Sequence, residues 1–284
     1  MKKYALCFGI NDYPGSANDL SGCVNDANDW GEKLMSLGFS VSIVLNSNVT
    51  RQTFKSMIQA ALNKMVIGDW LVITYSGHGT YTVDMSGDEP DGYDECLYLY
   101  DGLLLDDEIR EIIKPASGKH IVFMLDSCFS GTATRNLIGK VSHRARFVQP
   151  IWITKKPKAE KVFKFLAEED MIEILVSGCK DSEYSYDAYI GLRWNGAFTR
   201  YAIDALQPGL TFIEWYQALR KKLPSSKYPQ TPQLEGSLDN KGLIVFETTE
   251  PEPQTEPVPD KWYKKWWIYA IAAGVIVILY FVIR

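Results

Sequence analysis

The chain has 284 residues, 46% of them hydrophobic, enough to bury one large core of about 250 residues. Its net charge of −5 and pI near 5.4 exclude nucleic acid as the main partner, because phosphate binding relies on clustered Lys and Arg. Five cysteines without CxxC spacing, and no apolar signal segment behind Met1, argue for reduced thiols in a cytosol-facing domain; three histidines offer none of the paired spacing that zinc needs.

In chain order, short β-rich runs alternate with helical patterns. "YALCFGIN" (4–11) reads as a strand, followed by a helix over 20–37, the strand "FSVSIVLN" (39–46) and a helix over 50–65. Then come "WLVITYSG" (70–77), "ECLYLYD" (95–101), a helix over 105–114, "HIVFMLD" (120–126) and "IEILVSG" (172–178). Helices over 196–206 and 211–223 and the strand "GLIVFE" (242–247) complete the set. The last helix opens with Thr211 and Glu214 in capping-box spacing. Several strands are apolar on both faces, as in a covered parallel sheet. The expected fold is therefore α/β, a three-layer α/β/α sandwich on a mostly parallel sheet, spanning residues 1–247.

Three segments break the alternation. Residues 135–168 are rich in Lys and Arg with no core element evident, and read as a long surface insertion. Residues 248–260 are Pro-rich and acidic, an extended solvated linker. Beyond it Trp266 to Ile283 is an uncharged run of 18 residues, near the length that crosses a bilayer. Lys261, Lys264 and Lys265 precede the run and Arg284 follows it, with Trp262, Tyr263, Trp266, Trp267 and Tyr269 as an interfacial belt. By the positive-inside rule residues 261–284 form a single-pass C-terminal anchor in a lipid bilayer, with the large domain in the cytoplasm.

In an open parallel sheet the reacting groups gather outside the carboxyl ends of the strands. Two strands end alike: "WLVITYSGHGT" delivers His78 between two glycines, and "HIVFMLDSCFSG" delivers Cys128. Singly, Cys128 reads as an inert buried thiol and His78 as a loop histidine; on neighbouring strands, imidazole and thiol meet. An adjacent imidazole stabilises the thiolate and can later protonate a leaving amine. The amides of Gly79 and Cys128 are candidates for an oxyanion hole.

These residues carry a resemblance to the metacaspases, of the caspase-like cysteine peptidase clan with its caspase-hemoglobinase fold. It rests on "YALCFGIND", "LSGCVNDA", "YSGHGT", "GDEPDGYDECLYLYD", "LLLDDEI", "DSCFSG", "SGCKDSEYS" and "NGAFT", in family order over roughly residues 3 to 200. The 50 residues from His78 to Cys128 match the about 50 seen in caspases, whereas the caspases' own signature around the cysteine is absent. The resemblance implies a thiol endopeptidase acting on protein and peptide substrates through a His78–Cys128 dyad. It further implies a pocket for Arg or Lys before the scissile bond, built from Asp26 and Asp126 with Cys23 and Ser76 as walls. Calcium is the implied activator, with Asp94, Asp106 and Asp107 on the family's ligand positions, but the fourth position holds Arg135, and a cation there weakens such a site. The other reading of Asp106 and Asp107 is a favourable pair at a helix N-terminus. Self-cleavage within 135–168, at Arg144, Arg146, Lys155, Lys156, Lys158 or Lys161, fits the same preference. A monomeric state is expected. The competing readings are a catalytically silent caspase-like scaffold at the membrane and an Asp-specific peptidase of caspase type.

Overall fold

The computed structural model describes residues 1–84, 92–128, 143–148, 168–180 and 183–247, all within the compact unit Met1–Glu247. The linker and C-terminal anchor read from the sequence lie outside the described residues. Among the described residues no helix is long and apolar enough to cross a membrane.

The first half contains β1 (Lys3–Gly9), α1 (Cys23–Ser36), β2 (Ser40–Leu45), α2 (Arg51–Lys64), β3 (Trp70–Ser76), β4 (Gly79–Val83), β5 (Tyr93–Leu99), β6 (Gly102–Leu105), α3 (Asp106–Ile113) and β7 (His120–Asp126). The second contains β8 (His143–Ala145), β9 (Glu173–Ser177), β10 (Tyr186–Ile190), β11 (Arg193–Gly196), α4 (Ala197–Ala205), α5 (Phe212–Arg220), β12 (Gln233–Glu235) and α6 (Leu238–Lys241).

A six-stranded sheet in the order β12-β9-β7-β3-β1-β2 forms the centre. Its pairings are parallel except β12, which runs antiparallel to β9. Along β1, β3 and β7 alternate residues enter opposite cores, as the period of two requires. Leu6, Phe8, Leu71, Ile73, Ile121 and Phe123 join α2 and α3 through Phe54, Ile58, Ile109 and Ile113. Ala5, Cys7, Trp70, Val72, Val122 and Met124 join α1, α4 and α5 through Trp30, Leu34, Phe198 and Trp215. The three layers are those the two-faced strands imply. The capping box at the start of α5 is present, Thr211 Oγ1 accepting from the Glu214 amide.

Two strand readings change. The run 95–101 belongs not to the central sheet but to an antiparallel one, β4-β5-β6. The run 242–247 is not a strand. Phe246 turns the chain with φ 60° and buries its ring edge-on against Trp70, Phe39 and Phe212. That stretch is apolar because it plugs a core, and the sheet edge is β12 instead. Nor is the basic segment 135–168 all surface: within it residues 143–148 are described, Arg146 is fully buried, and β8 joins β10 and β11 in a third sheet.

Candidate active site

β3 and β7 pair in register with Ser76 opposite Asp126, so His78 and Cys128 each follow two residues past the ends of adjacent strands. Gly77 makes this turn possible, since a Cβ there would meet the Tyr75 and Tyr13 hydroxyls at 2.5 and 2.8 Å. Those hydroxyls fix the next residue. The His78 amide donates to Tyr13 Oη at 2.8 Å, and Tyr75 Oη donates to the His78 carbonyl at 2.8 Å.

The imidazole is buried. Its Nε2 faces the Asn18 carbonyl at 2.7 Å, and a carbonyl only accepts, so Nε2 carries the proton. Nδ1 is left without a hydrogen bond, although the Arg146 carbonyl lies near enough to favour its protonation slightly. Burial pushes the His78 pKa down to about 4; the Asn18 bond opposes this, and the charges of Arg146 and Arg144 add to it. At neutral pH the ring is uncharged, with a free lone pair on Nδ1.

Cys128 is fully buried, its Sγ accepting from the Ser185 amide at 2.7 Å. A second thiol, Cys179, lies beside it; that contact, followed by burial, holds the Cys179 pKa well above the usual thiol value.

The pocket residues expected from the sequence converge on one side chain, and it is the chain's own. Arg146 Nη2 donates to Asp26 Oδ2 at 2.7 Å, and Nη1 donates to Ser76 Oγ at 2.6 Å and lies 3.1 Å from Asp126 Oδ1. Cys23 is buried beside this guanidinium; burial raises its thiol pKa well above the usual value and the positive charge draws it back. A third carboxylate, absent from the sequence reading, completes the ring: Asp187 Oδ1 accepts from Nη2 at 3.0 Å. Asp187 also accepts from the Ser21 and Gly22 amides, both at 2.8 Å, tying β10 to the start of α1. Gly196 forms the pocket wall, where a Cβ would meet Asp126 Oδ2 and Arg146 Nη1.

The backbone of Arg146 is seated as deliberately as its side chain. Its carbonyl accepts from both Gly79 N at 3.0 Å and Cys128 N at 3.1 Å, the two amides expected to form an oxyanion hole. Its own amide donates to the Ser185 carbonyl at 3.1 Å, and the Val148 amide to the Gly79 carbonyl at 3.1 Å. β8 runs antiparallel to β10, Ala145 opposite Tyr186. An extended segment thus crosses the ends of β3 and β7 with a basic side chain in an acidic slot and the carbonyl of the following peptide bond under the Gly79 and Cys128 amides.

The acidic stretch is arranged differently. Burial, then the charge of Asp107, holds Asp106 up to about 7, while Arg110 lies 4.0 Å from Asp106 and 3.0 Å from Asp107. Asp94 is buried on β5. Among the described residues no group of three or more His, Cys, Asp or Glu converges as a metal would need. Residues 85–91 of the same acidic stretch, and Arg135, lie outside the described residues.

Comparison with known proteins gives a consistent picture. Residues 2–242 match the caspase domain family. Metacaspase-1A of Aspergillus fumigatus is 32% identical over 86% of this chain and 71% of its own. Metacaspase-1 of Cryptococcus neoformans is 31% identical over 86% of this chain and 64% of its own. The crystal structure of a Geobacter sulfurreducens protein superposes with TM-score 0.68 at 27% identity, covering 87% of this chain and 99% of that one. Caspase-1 from Spodoptera frugiperda, at TM-score 0.58 and 14% identity over 88% of this chain and 92% of its own, shares the fold. The chain belongs to the caspase domain family, among the metacaspases, and is a cysteine-type peptidase.

Proposed function

We propose that this peptidase cleaves after Arg or Lys through Cys128 and His78, and that its first substrate is its own Arg146–Phe147 bond. The observation that supports this most is the double seating of Arg146, guanidinium among Asp26, Asp126 and Asp187 and carbonyl under the amides of Gly79 and Cys128. Three carboxylates repel an aspartate side chain, so an Asp-specific peptidase fits poorly; a guanidinium fork fits well.

In this mechanism His78 Nδ1 takes the thiol proton and Cys128 Sγ attacks the carbonyl carbon. The Gly79 and Cys128 amides stabilise the oxyanion. Collapse breaks the C–N bond, the leaving amine takes the proton from His78, and the acyl group remains on sulfur as a thioester. Water, losing its proton to His78, then releases the carboxylate and restores the thiol. Lys would occupy the slot with fewer hydrogen bonds than Arg. The uncharged run 266–283 supports tethering of this domain to a bilayer facing the cytoplasm.

The test is turnover of fluorogenic peptides ending in Arg, Lys or Asp by the full chain, with and without calcium, beside a Cys128→Ala control. Arg is expected to lead, Lys to follow and Asp to remain at the control level. Turnover of none would favour a silent scaffold, and turnover led by Asp would refute the basic pocket.

A further inference from the structure

We infer that the enzyme selects an aromatic residue directly after the scissile bond, through a wall formed by Tyr81. The inference rests on reading the seated segment 143–148 as a bound substrate. In that reading Arg146 precedes the bond, and Phe147 is the residue that leaves.

The Phe147 ring stacks on Tyr81, with centroids 5.9 Å apart and planes at 23°. Tyr81 is only 2% exposed and is braced edge-on by Tyr93 at 5.5 Å and 81°. Tyr93, on the paired strand β5, thus supports the wall from outside the seated segment.

The register is held too. Gly79 bridges to Phe147, the Val148 amide donates to the Gly79 carbonyl at 3.1 Å, and Thr80 Oγ1 donates to the Val148 carbonyl at 2.8 Å. Gly79 and Tyr81, two apart on β4, face the same side. Whenever the Gly79 amide holds a scissile carbonyl, Tyr81 lies beside the residue that follows.

The residue two before the bond's Arg behaves differently. Arg144 is exposed and its guanidinium donates to the backbone carbonyls of Asp19 and Ala17. Solvent-exposed polar contacts contribute little, whereas ring stacking joined to burial of an aromatic group is worth about tenfold. Selectivity should accordingly be stronger after the bond than at this outer basic position.

Internally quenched peptides of sequence His-Arg-Ala-Arg-X-Val, with X as Phe, Leu, Ala, Gly or Glu, read this directly with the full chain. We expect kcat/KM for Phe about tenfold above Gly, and a ratio near twofold for both Tyr81→Ala and the volume-keeping Tyr81→Leu. Cleavage of Phe and Gly peptides at equal rates by the unaltered chain would overturn aromatic selection and leave the basic preference standing. Cleavage of none of these Arg peptides would overturn both.

Discussion

Arg146 shows how much one side chain's environment can hold in balance. A fully buried guanidinium is costly, and here it is offset by Asp26, Asp126 and Asp187, all buried themselves. Even so, burial keeps Asp26 above the usual carboxylate range, at about 6, with Arg146 the main influence pulling it down. Removing the cation leaves carboxylates facing one another. In a Cys128→Ala background, Arg146→Met should lower stability by about 2 kcal/mol at pH 8, less than a dry buried pair would lose because water enters the vacated slot. The pH dependence has a definite sign. Asp26 has a native pKa above its ordinary 3.8, so the folded state binds the extra proton and stability falls as pH rises through that window. The deficit of Arg146→Met should therefore shrink to less than half at pH 5, read by urea unfolding at both pH values; an equal deficit would argue against coupled carboxylates. At this scale much was legible. His78, Cys128, Gly79, Asp26, Asp126, Ser76 and Cys23 sit at strand ends or a helix start, where local pattern predicts position. Asp187 was not, because it lies within the short strand β10 and only tertiary pairing brings it to α1. Arg146 was visible as one basic residue among several; which of them docks is decided by the cleft.

The elements around the site work as a template for an extended chain. β10 pairs with β11 on one side and β8 on the other, and Arg146 continues the β8 ladder through its amide to Ser185. A peptide substrate that adds to the same edge should need that amide. N-methylation of the Arg nitrogen in an Arg-terminated fluorogenic peptide should lower kcat/KM about tenfold, near the value of one hydrogen bond whose acceptor is left buried; an unchanged rate would mean substrates bind without strand pairing. The long strands β3 and β7 were readable because both faces are apolar and every residue but His120 is buried. β4, β6, β8, β10, β11 and β12 have three to five residues each, too few for a period to emerge, and they exist because a partner strand completes their hydrogen bonds. The stretch 242–247 misleads for the opposite reason: its apolar residues answer to Trp70 and Phe39, not to a ladder.

At the scale of the molecule, the proposed cut falls between two halves that the central sheet interleaves. β1, β2, β3 and β7 precede residue 146, while β9 and β12 follow it, and β7 pairs with β9 along Ile121 to Leu125. α1 packs against α4 across the same divide. Incubated wild-type chain should yield a fragment beginning at Phe147, identified by N-terminal sequencing and lost in Cys128→Ala, and both fragments should elute together on native size exclusion. A different new N-terminus would remove Arg146 as the processing site, and separate elution would show that the sheet does not hold the halves. The tethering of residues 143–148 bears also on how ligands are measured. A segment joined to its own cleft competes at an effective concentration of about millimolar, with no diffusion to wait for. A free inhibitor titrated against the uncut chain must displace that resident before it binds, so its apparent Kd is weakened by the fraction of molecules in which the cleft is open. Compounds ranked on the uncut protein are ranked partly by how well Arg146 holds its place, and true affinities emerge once the bond after it is severed.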